Sequence, residues 1–424
     1  MTLIVAVILL MLVLFTIGVH MAVAMAVCGA LLVLFASGVP LHTIAQNAFT
    51  SVDSFALVAI PFFIWTGDLM MRGRIATVIV ELIGTVVRAI RGGLAITVLL
   101  ACVFFAAISG SSVATAAAVG ASSVESLKKE GYPAQFAAAL AAVGGTLGVM
   151  IPPSLSFIVI GAVVGLPVDK LFLAGIIPGL LEAFLLIVTA YVITQRRGYG
   201  VVSQRPDFCG FARRLPAAVP ALVMPIIILG SIYGGFLTPT EVSAIALVYA
   251  IVLGLLVYRS ATFVDVWRSG QNAVMQSCMI FLVIIGGNIL SFMLARLGIA
   301  ADIATFFRES GMTKAQFLFM VNVLLFILGG PLEGISMIVL TAPIIFPIGM
   351  ALGVDPIHLA VIYVANVEIA TLTPPIGLNL FVMAGIAKMP VGEVIRGVTP
   401  FWFARLFALM LITYIPEISL FLVR

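Results

Sequence analysis

The chain has 424 residues, of which 63% are hydrophobic and only 9% charged, against a charged fraction of about 25% in soluble domains. That balance excludes a soluble fold, and apolar runs such as 3–19, 217–232 and 242–257 approach the roughly 20 residues that a bilayer-crossing helix needs. The formal net charge of +4 comes from 21 Lys and Arg scattered at the ends of apolar runs, so it sets topology and is not a nucleic-acid signal.

The expected fold class is therefore an all-α polytopic membrane protein; a β-barrel would alternate over segments of about 10 residues. Cys28, Cys102, Cys209 and Cys278 form no CxxC pair, and His20, His42 and His358 show no metal-ligand spacing. The N-terminus lacks a basic leader and an obvious cleavage site, so it is read as the first span.

In chain order, residues 3–19 and 21–39 read as a tight helical hairpin, followed by a polar connection at 40–53. A third span, 54–71, carries Pro61 and Asp68 and ends at Arg72-Gly73-Arg74; residues 75–90 suit a helix lying at the interface. Next comes a hairpin over 92–129, flanked by Arg88 and Arg91 on one side and Lys128 and Lys129 on the other. Lys and Arg accumulate in short cytoplasmic loops, so both mouths are expected to face the cytoplasm and the tip, Ser109-Gly110-Ser111-Ser112, to be re-entrant, the alternative being two full spans with a buried loop.

From 133 the chain rises through a helix interrupted at Gly148-Val149-Met150-Ile151-Pro152-Pro153, and 171–194 returns to a basic linker, 196–215, that holds Arg196, Arg197, Arg205, Arg213 and Arg214. Spans follow at 217–235, 241–257 and 277–295, then a second hairpin at 314–349, a second broken helix at 356–388 and a last span at 401–423. This gives about ten spans plus two re-entrant hairpins, with both termini outside.

Adding 222 to the first hairpin and broken helix lands on a second copy. Pro152-Pro153 becomes Pro374-Pro375, Gly131 becomes Gly353, and the first tip becomes Pro331-Leu332-Glu333-Gly334. Five crossings separate the copies, an odd number, so they form an inverted repeat. The chain then divides into scaffold helices and the first span of repeat 1 (1–74), a transport-domain half with hairpin 1 and broken helix 1 (75–168), scaffold helices with the basic linker (169–272), the inverted repeat 2 (273–390) and a C-terminal span (391–424).

Unpaired backbone groups are costly in hydrocarbon, so broken helices survive there only when buried in protein or lining a polar cavity. Matched breaks in two repeats are the best sequence pointer to a transporter's binding site. At the first break, prolines free carbonyls from the helical ladder; with the hydroxyls of the tip they offer five or six neutral oxygens, suited to Na⁺. In the second copy Glu333 occupies the repeat position of Ser111, near Ala370-Thr371-Leu372-Thr373-Pro374-Pro375, with Asn366 and Glu368 just before. Intramembrane carboxylates are functional by default; Glu333 is open to three roles, as a second Na⁺ ligand, a proton carrier or the structural partner of a basic residue. Asp68 is open between a functional carboxylate and an interfacial partner of Arg72.

An anionic substrate would sit where helix N-termini converge at the two tips. Arg and Lys are nearly absent from the presumed interior, so dipoles and bound cations have to neutralise it. Other classes fit less well. A serine protease built on Ser111 lacks a glycine after Gly110-Ser111-Ser112-Val113 and a His in a membrane run as base; a channel remains the alternative for a pore framed by two inverted hairpins; no GxxxxGK[ST] motif supplies ATP.

Three motifs, Ile108-Ser109-Gly110-Ser111-Ser112-Val113-Ala114-Thr115-Ala116, Gly144-Gly145-Thr146-Leu147-Gly148-Val149-Met150-Ile151-Pro152-Pro153-Ser154 and the stretch 366–379, together resemble the large membrane (M) subunit of tripartite ATP-independent periplasmic (TRAP) transporters. The resemblance covers essentially the whole chain. It implies an elevator-type ion transporter fold and Na⁺-coupled import of an organic acid across the bacterial inner membrane, with a small membrane subunit as a separate chain and a periplasmic substrate-binding protein as partners. An H⁺-coupled or binding-protein-independent anion transporter of the same superfamily is the alternative. Carried over residue by residue, the first Na⁺ site resembles Ser109, Ser111, Gly148, Ile151 and Pro153. The offset of 222 suggests Gly330, Glu333, Ala370, Thr373 and Pro375 for a second, and Ser112, Thr115, Ser154 and Asn379 are the expected substrate contacts. Which C4-dicarboxylate, sialic acid or other carboxylate is carried does not transfer.

Overall fold

The protein is described from a computed structural model covering all residues except 1, 37–38, 41, 73–74, 88, 201–206 and 310; Gly73, Arg74, Arg88 and Arg205, singled out above, lie outside the described residues. Every element is helical among them.

Helices α1 (Thr2–Thr16) and α2 (Met21–Ala36) form the first hairpin. The expected polar connection is instead helix α3 (His42–Val52). Its polar side chains are satisfied locally: the Asn47 amide donates to the Thr43 carbonyl at 2.9 Å and the Thr50 hydroxyl to that of Gln46 at 3.0 Å. Polar residues that bond back to their own helix are compatible with helix where a composition count suggests loop. A 3₁₀ turn, Phe55–Val58, leads into α4 (Ala59–Arg72), and α5 (Ile75–Val87) follows. Where an interfacial helix was expected, α5 buries Ile75, Ile79 and Leu82 and is packed by hairpin 1 and by a later helix.

Hairpin 1 comprises α6 (Gly93–Ser109) and α7 (Ser112–Lys129); broken helix 1 comprises α8 (Ala134–Met150) and α9 (Leu155–Val164). Then come α10 (Val168–Arg197), α11 (Phe208–Tyr233) and α12 (Pro239–Val252), the last continuing as a π-helical turn, Leu253–Val257. Arg213 and Arg214 of the expected linker are thus helical, and Arg214 Nε stands 3.8 Å from Glu81 of α5. Helix α13 (Phe263–Arg296) begins well before the span expected at 277. Thr262 and Asp265 form a reciprocal capping box that starts it there. At 34 residues it is roughly 50 Å long at 1.5 Å per residue, more than a bilayer core needs. A hydropathy window sees only its apolar end.

After α14 (Ile299–Glu309), hairpin 2 comprises α15 (Lys314–Leu328) and α16 (Gly334–Ala351), and broken helix 2 comprises α17 (Pro356–Ala370) and α18 (Leu378–Ala387). The expected last span at 401–423 is replaced by α19 (Val391–Tyr414) and a short α20 (Pro416–Leu420); Pro416 lacks the N–H that continuation requires. Among the described residues, eight helical segments are long and apolar enough to cross a membrane. Helices α1 and α2 are shorter, and broken helix 2 falls apart into two short halves because 371–377 separates them. The arm α16, by contrast, is long enough.

The two copies match in their element bounds and at their diprolines. Helix α16 reproduces the bounds of α7 at an offset of 222, and both diproline peptides, Pro152-Pro153 and Pro374-Pro375, are cis. At the centre lie α8, buried throughout from Phe136 to Met150, and α17, buried from His358 to Ala370. Ala and Gly dominate α8, and small residues let membrane helices approach closely.

Candidate functional site

Each repeat folds its hairpin tip against its own break. In repeat 1 the Leu155 amide donates to the Gly110 carbonyl at 3.2 Å; in repeat 2 the Ile376 amide donates to that of Gly330 at 3.3 Å. Gly110 adopts φ +61°, the left-handed conformation that glycine takes without strain. The approach is also close at Gly148, where an added β-carbon would stand 2.6 Å from the Ser111 carbonyl oxygen and 2.7 Å from Thr115 Oγ1.

Around Gly148 the first predicted cation ligands come together. Ser109 Oγ lies 2.8 Å from Thr115 Oγ1, and the Thr115 hydroxyl donates to the Ser111 carbonyl at 2.9 Å. Thr115, expected at the substrate, therefore belongs to this oxygen cluster. Ile151 ends α8 and Pro153 follows it, with the Pro153 carbonyl against Gly110. Beside the tip a cavity of about 100 Å³ is lined by Ser109, Ser111, Gln276 and Asp68, among others. Asp68 resolves to a paired carboxylate: Arg72 Nε stands 2.9 Å away, and Ser269 donates to it.

The second set is arranged similarly. Gly330 faces the Pro374 carbonyl, Ala370 ends α17, and the Thr373 hydroxyl donates to the Ile369 carbonyl at 2.7 Å. Glu333 is the N-cap of α16, accepting from the amides of Ile335 (3.1 Å) and Ser336 (3.2 Å). Its repeat equivalent Ser111 caps α7 by accepting from the Ala114 amide. The carboxylate thus stabilises a helix N-terminus, where negative charge is favourable.

Between the two tips is a cavity of about 80 Å³ lined by Ser111, Ser112, Ser156, Glu333, Thr371 and Leu378, among others. Four helices, α7, α9, α16 and α18, start at its walls, directing the positive ends of their dipoles to one place. The partner helices α6, α8, α15 and α17 end at the tips and breaks, with carbonyl oxygens at their C-termini. Anion-favouring and cation-favouring ends therefore lie side by side.

Of the expected substrate contacts, only Ser112 lines this cavity. Ser154 is fully buried, donates to the Val149 carbonyl and caps α9. Asn379, also fully buried, donates to Ser112 Oγ at 2.7 Å and to the Ala142 carbonyl at 2.9 Å, joining broken helix 2 to hairpin 1. Asn379→Leu keeps the volume but leaves those buried acceptors without a donor, a loss of about 1–3 kcal/mol; thermal unfolding in detergent is expected to shift down accordingly.

One expectation is qualified and another corrected: basic residues are scarce in the interior, as expected, but not wholly absent. The interior does hold a basic residue: Arg405 of α19 is 2% exposed. Its Nη1 donates to Glu182 of α10 at 2.6 Å and to Glu368 of α17 at 2.7 Å. Two carboxylates take up its charge, so it offers the cavity no free cation. A histidine also lies in a membrane run, since His358 sits in the first turn of α17 with Nε2 3.2 Å from the Thr413 carbonyl oxygen.

A family model described as the DctM component of the tripartite ATP-independent periplasmic transporter matches residues 8–418. The C4-dicarboxylate TRAP transporter large permease protein DctM of Pseudomonas aeruginosa is 39% identical over 395 residues, covering 92% of each chain. The sialic acid TRAP transporter large permease protein SiaM of Vibrio cholerae is 32% identical, covering 89% of this chain and 88% of that one. The isethionate TRAP transporter permease protein DctMQ of Oleidesulfovibrio alaskensis is 37% identical over 96% of this chain and 64% of that one. In fold, the chain is similar to the crystal structure of the YdaH transporter of Alcanivorax borkumensis, with a TM-score of 0.64 at 16% identity, covering 90% of this chain and 89% of that one. With its duplicated hairpins and broken helices, this chain belongs to the DctM component family of the tripartite ATP-independent periplasmic transporters, as a polytopic membrane permease.

Proposed function

We propose that this permease imports an organic acid across the bacterial inner membrane by Na⁺ symport, with Na⁺ as the coupling ion and an elevator movement of the hairpins and broken helices against the remaining helices. The observation that carries this reading is the pairing, in both repeats, of helix C-terminal oxygens at the break with helix N-termini at the intervening cavity. Cations bind unwound carbonyls and anions bind helix N-termini in transporters built from broken helices. Ser109, Ser111, Gly148, Ile151 and Pro153 are assigned to one Na⁺, and Gly330, Glu333, Ala370, Thr373 and Pro375 to another. Three of the relatives are named for C4-dicarboxylate, isethionate and sialic acid, all acids, and these favour an organic anion here too. A small membrane subunit and a periplasmic binding protein that delivers the substrate complete the system.

The test is uptake of a labelled organic acid into proteoliposomes that hold the permease, its small subunit and its binding protein. Uptake is expected to require an inward Na⁺ gradient, and Ser111→Ala to raise the half-saturating Na⁺ concentration several-fold at an unchanged affinity of the binding protein. Uptake indifferent to Na⁺, or a variant that follows the wild type at every Na⁺ concentration, overturns the assignment.

A further inference from the structure

The offset of 222 places Thr146 and Glu368 at equivalent positions of the two repeats, on α8 and α17. One guanidinium touches both. Arg405 Nη1 donates to Glu368 at 2.7 Å; its Nη2 donates to the Thr146 hydroxyl and, at 3.3 Å, to the Val143 carbonyl. Thr146 in turn donates to that same carbonyl at 2.8 Å. The remaining partner, Glu182, and Arg405 itself come from α10 and α19, which are also repeat equivalents, as Pro178 and Pro400 show at the same offset. The cluster therefore draws on both copies of two different helices and joins the two repeats. Arg405 and Glu182 are each 2% exposed, and Thr146 and Glu368 are fully buried.

Thr146 precedes Gly148 by two residues, and Glu368 precedes Ala370 by two, about 3 Å along each helix at the α-helical rise. On α8, then, the guanidinium holds a hydroxyl and a backbone carbonyl shortly ahead of Gly148, and on α17 a side-chain carboxylate shortly ahead of Ala370. We infer that Arg405 is a positioning residue that fixes the two breaks in register with one another, so that Na⁺ bound at one break preorganises the other. The inference rests on the Na⁺ assignment made above. Its mechanism is purely geometric: a planar fork with fixed donor directions spans two helices that the chain connects only through more than 200 intervening residues. The cluster faces no substrate, because none of its four side chains lines the cavity between the tips.

The experiment measures Na⁺ dependence in two ways, by uptake in the complete proteoliposome system and by thermal stabilisation of the purified permease on titration with NaCl against choline chloride. Wild type is expected to respond with a Hill coefficient clearly above 1. Thr146→Val removes one arm of the clamp without burying a charge unpaired; it is expected to bring the Hill coefficient towards 1 and to raise half-saturation several-fold. Thr146→Ser keeps the hydroxyl and is expected to restore both. Arg405→Lys, which retains charge but loses the fork, is expected to behave like Thr146→Val. A role confined to stability would lower the melting temperature of these variants at the wild-type Hill coefficient, and that result overturns the inference while leaving the Na⁺ sites standing. A wild type that binds Na⁺ with a Hill coefficient of 1 also overturns it, and a wild type indifferent to Na⁺ removes the Na⁺ assignment as well.

Discussion

Arg405→Ala is expected to lose about 3–5 kcal/mol of stability, the typical effect of removing one partner from a buried ionic cluster. Glu182 and Glu368 both direct an oxygen at Arg405 Nη1, and no other basic side chain forms an ion pair with either among the described residues. Without the guanidinium two carboxylates face one another in a water-poor interior, where an unpaired charge is most costly. The variant should unfold at a markedly lower temperature in detergent and show early proteolysis of broken helix 2. A triple replacement, Arg405→Met with Glu182→Leu and Glu368→Leu, removes the charges together and should recover most of the loss, since apolar side chains of similar volume often replace buried ion clusters without penalty. Arg405→Ala with an unshifted melting temperature would show that water reaches the cluster and that its charges are solvated.

The duplication and its breaks were legible because Pro and Gly punctuate helices by a local mechanism that needs no knowledge of the fold. Pro152-Pro153, Pro374-Pro375 and the two tips therefore stand in the chain order, with the hairpin and broken-helix bounds, that their spacing predicts. What the sequence hid is of two kinds. The starts of α13 and α19 lie outside the apolar runs, because polar and charged side chains such as Asp265, Arg268, Glu393 and Arg396 ride on helix that a hydropathy window reads as loop. The charge cluster was hidden differently, by separation: Glu182 and Arg405 are 223 positions apart, Glu368 and Arg405 37. A signal existed nonetheless. Each of the three is a charged residue inside a long apolar run, and such residues pair with one another in membranes; one cation against two carboxylates in three runs already proposes the partnership.

The assigned substrate contacts divide for a related reason. Residue type marks Ser154 and Asn379 as polar groups in a membrane core, but type does not say whether the polar atom faces a ligand or a backbone group. Ser154 is consumed by the Val149 carbonyl, and the Asn379 amide nitrogen by Ser112 and the Ala142 carbonyl, while Asn379 Oδ1 is left buried without a hydrogen-bond partner. Breaking a helix in hydrocarbon exposes backbone groups that must be satisfied, so part of the polar inventory near any break serves the break itself.

Gly148→Ala is expected to reduce Na⁺-driven uptake at least tenfold while leaving the chain folded, and the repeat explains why so small a change acts so strongly. The added methyl would stand 2.6 Å from the Ser111 carbonyl oxygen and 2.8 Å from its carbonyl carbon. Both are backbone atoms of Ser111 at the tip of hairpin 1, so no side-chain rotation relieves the contact; the tip has to withdraw from α8. Withdrawal moves the Ser109 and Ser111 oxygens away from those of Ile151 and Pro153, and a displacement of less than an ångström is large for groups required to meet around one ion. Repeat 2 closes its hairpin on its broken helix through a different contact. The equivalent of Gly148 is Ala370, whose methyl packs against Gly329 at the end of α15; a β-carbon on Gly329 would stand 2.7 Å from the Ala370 β-carbon. At these two contacts the glycine lies on the broken helix in repeat 1 and on the hairpin in repeat 2. Gly329→Ala is accordingly expected to weaken Na⁺ dependence as Gly148→Ala does, and the pair Gly329→Ala with Ala370→Gly, which only exchanges the sides, to recover it. Uptake of Gly148→Ala at the wild-type rate and wild-type Na⁺ affinity would mean that tip and break need not close for transport, and that the oxygens gathered around Gly148 do not share an ion.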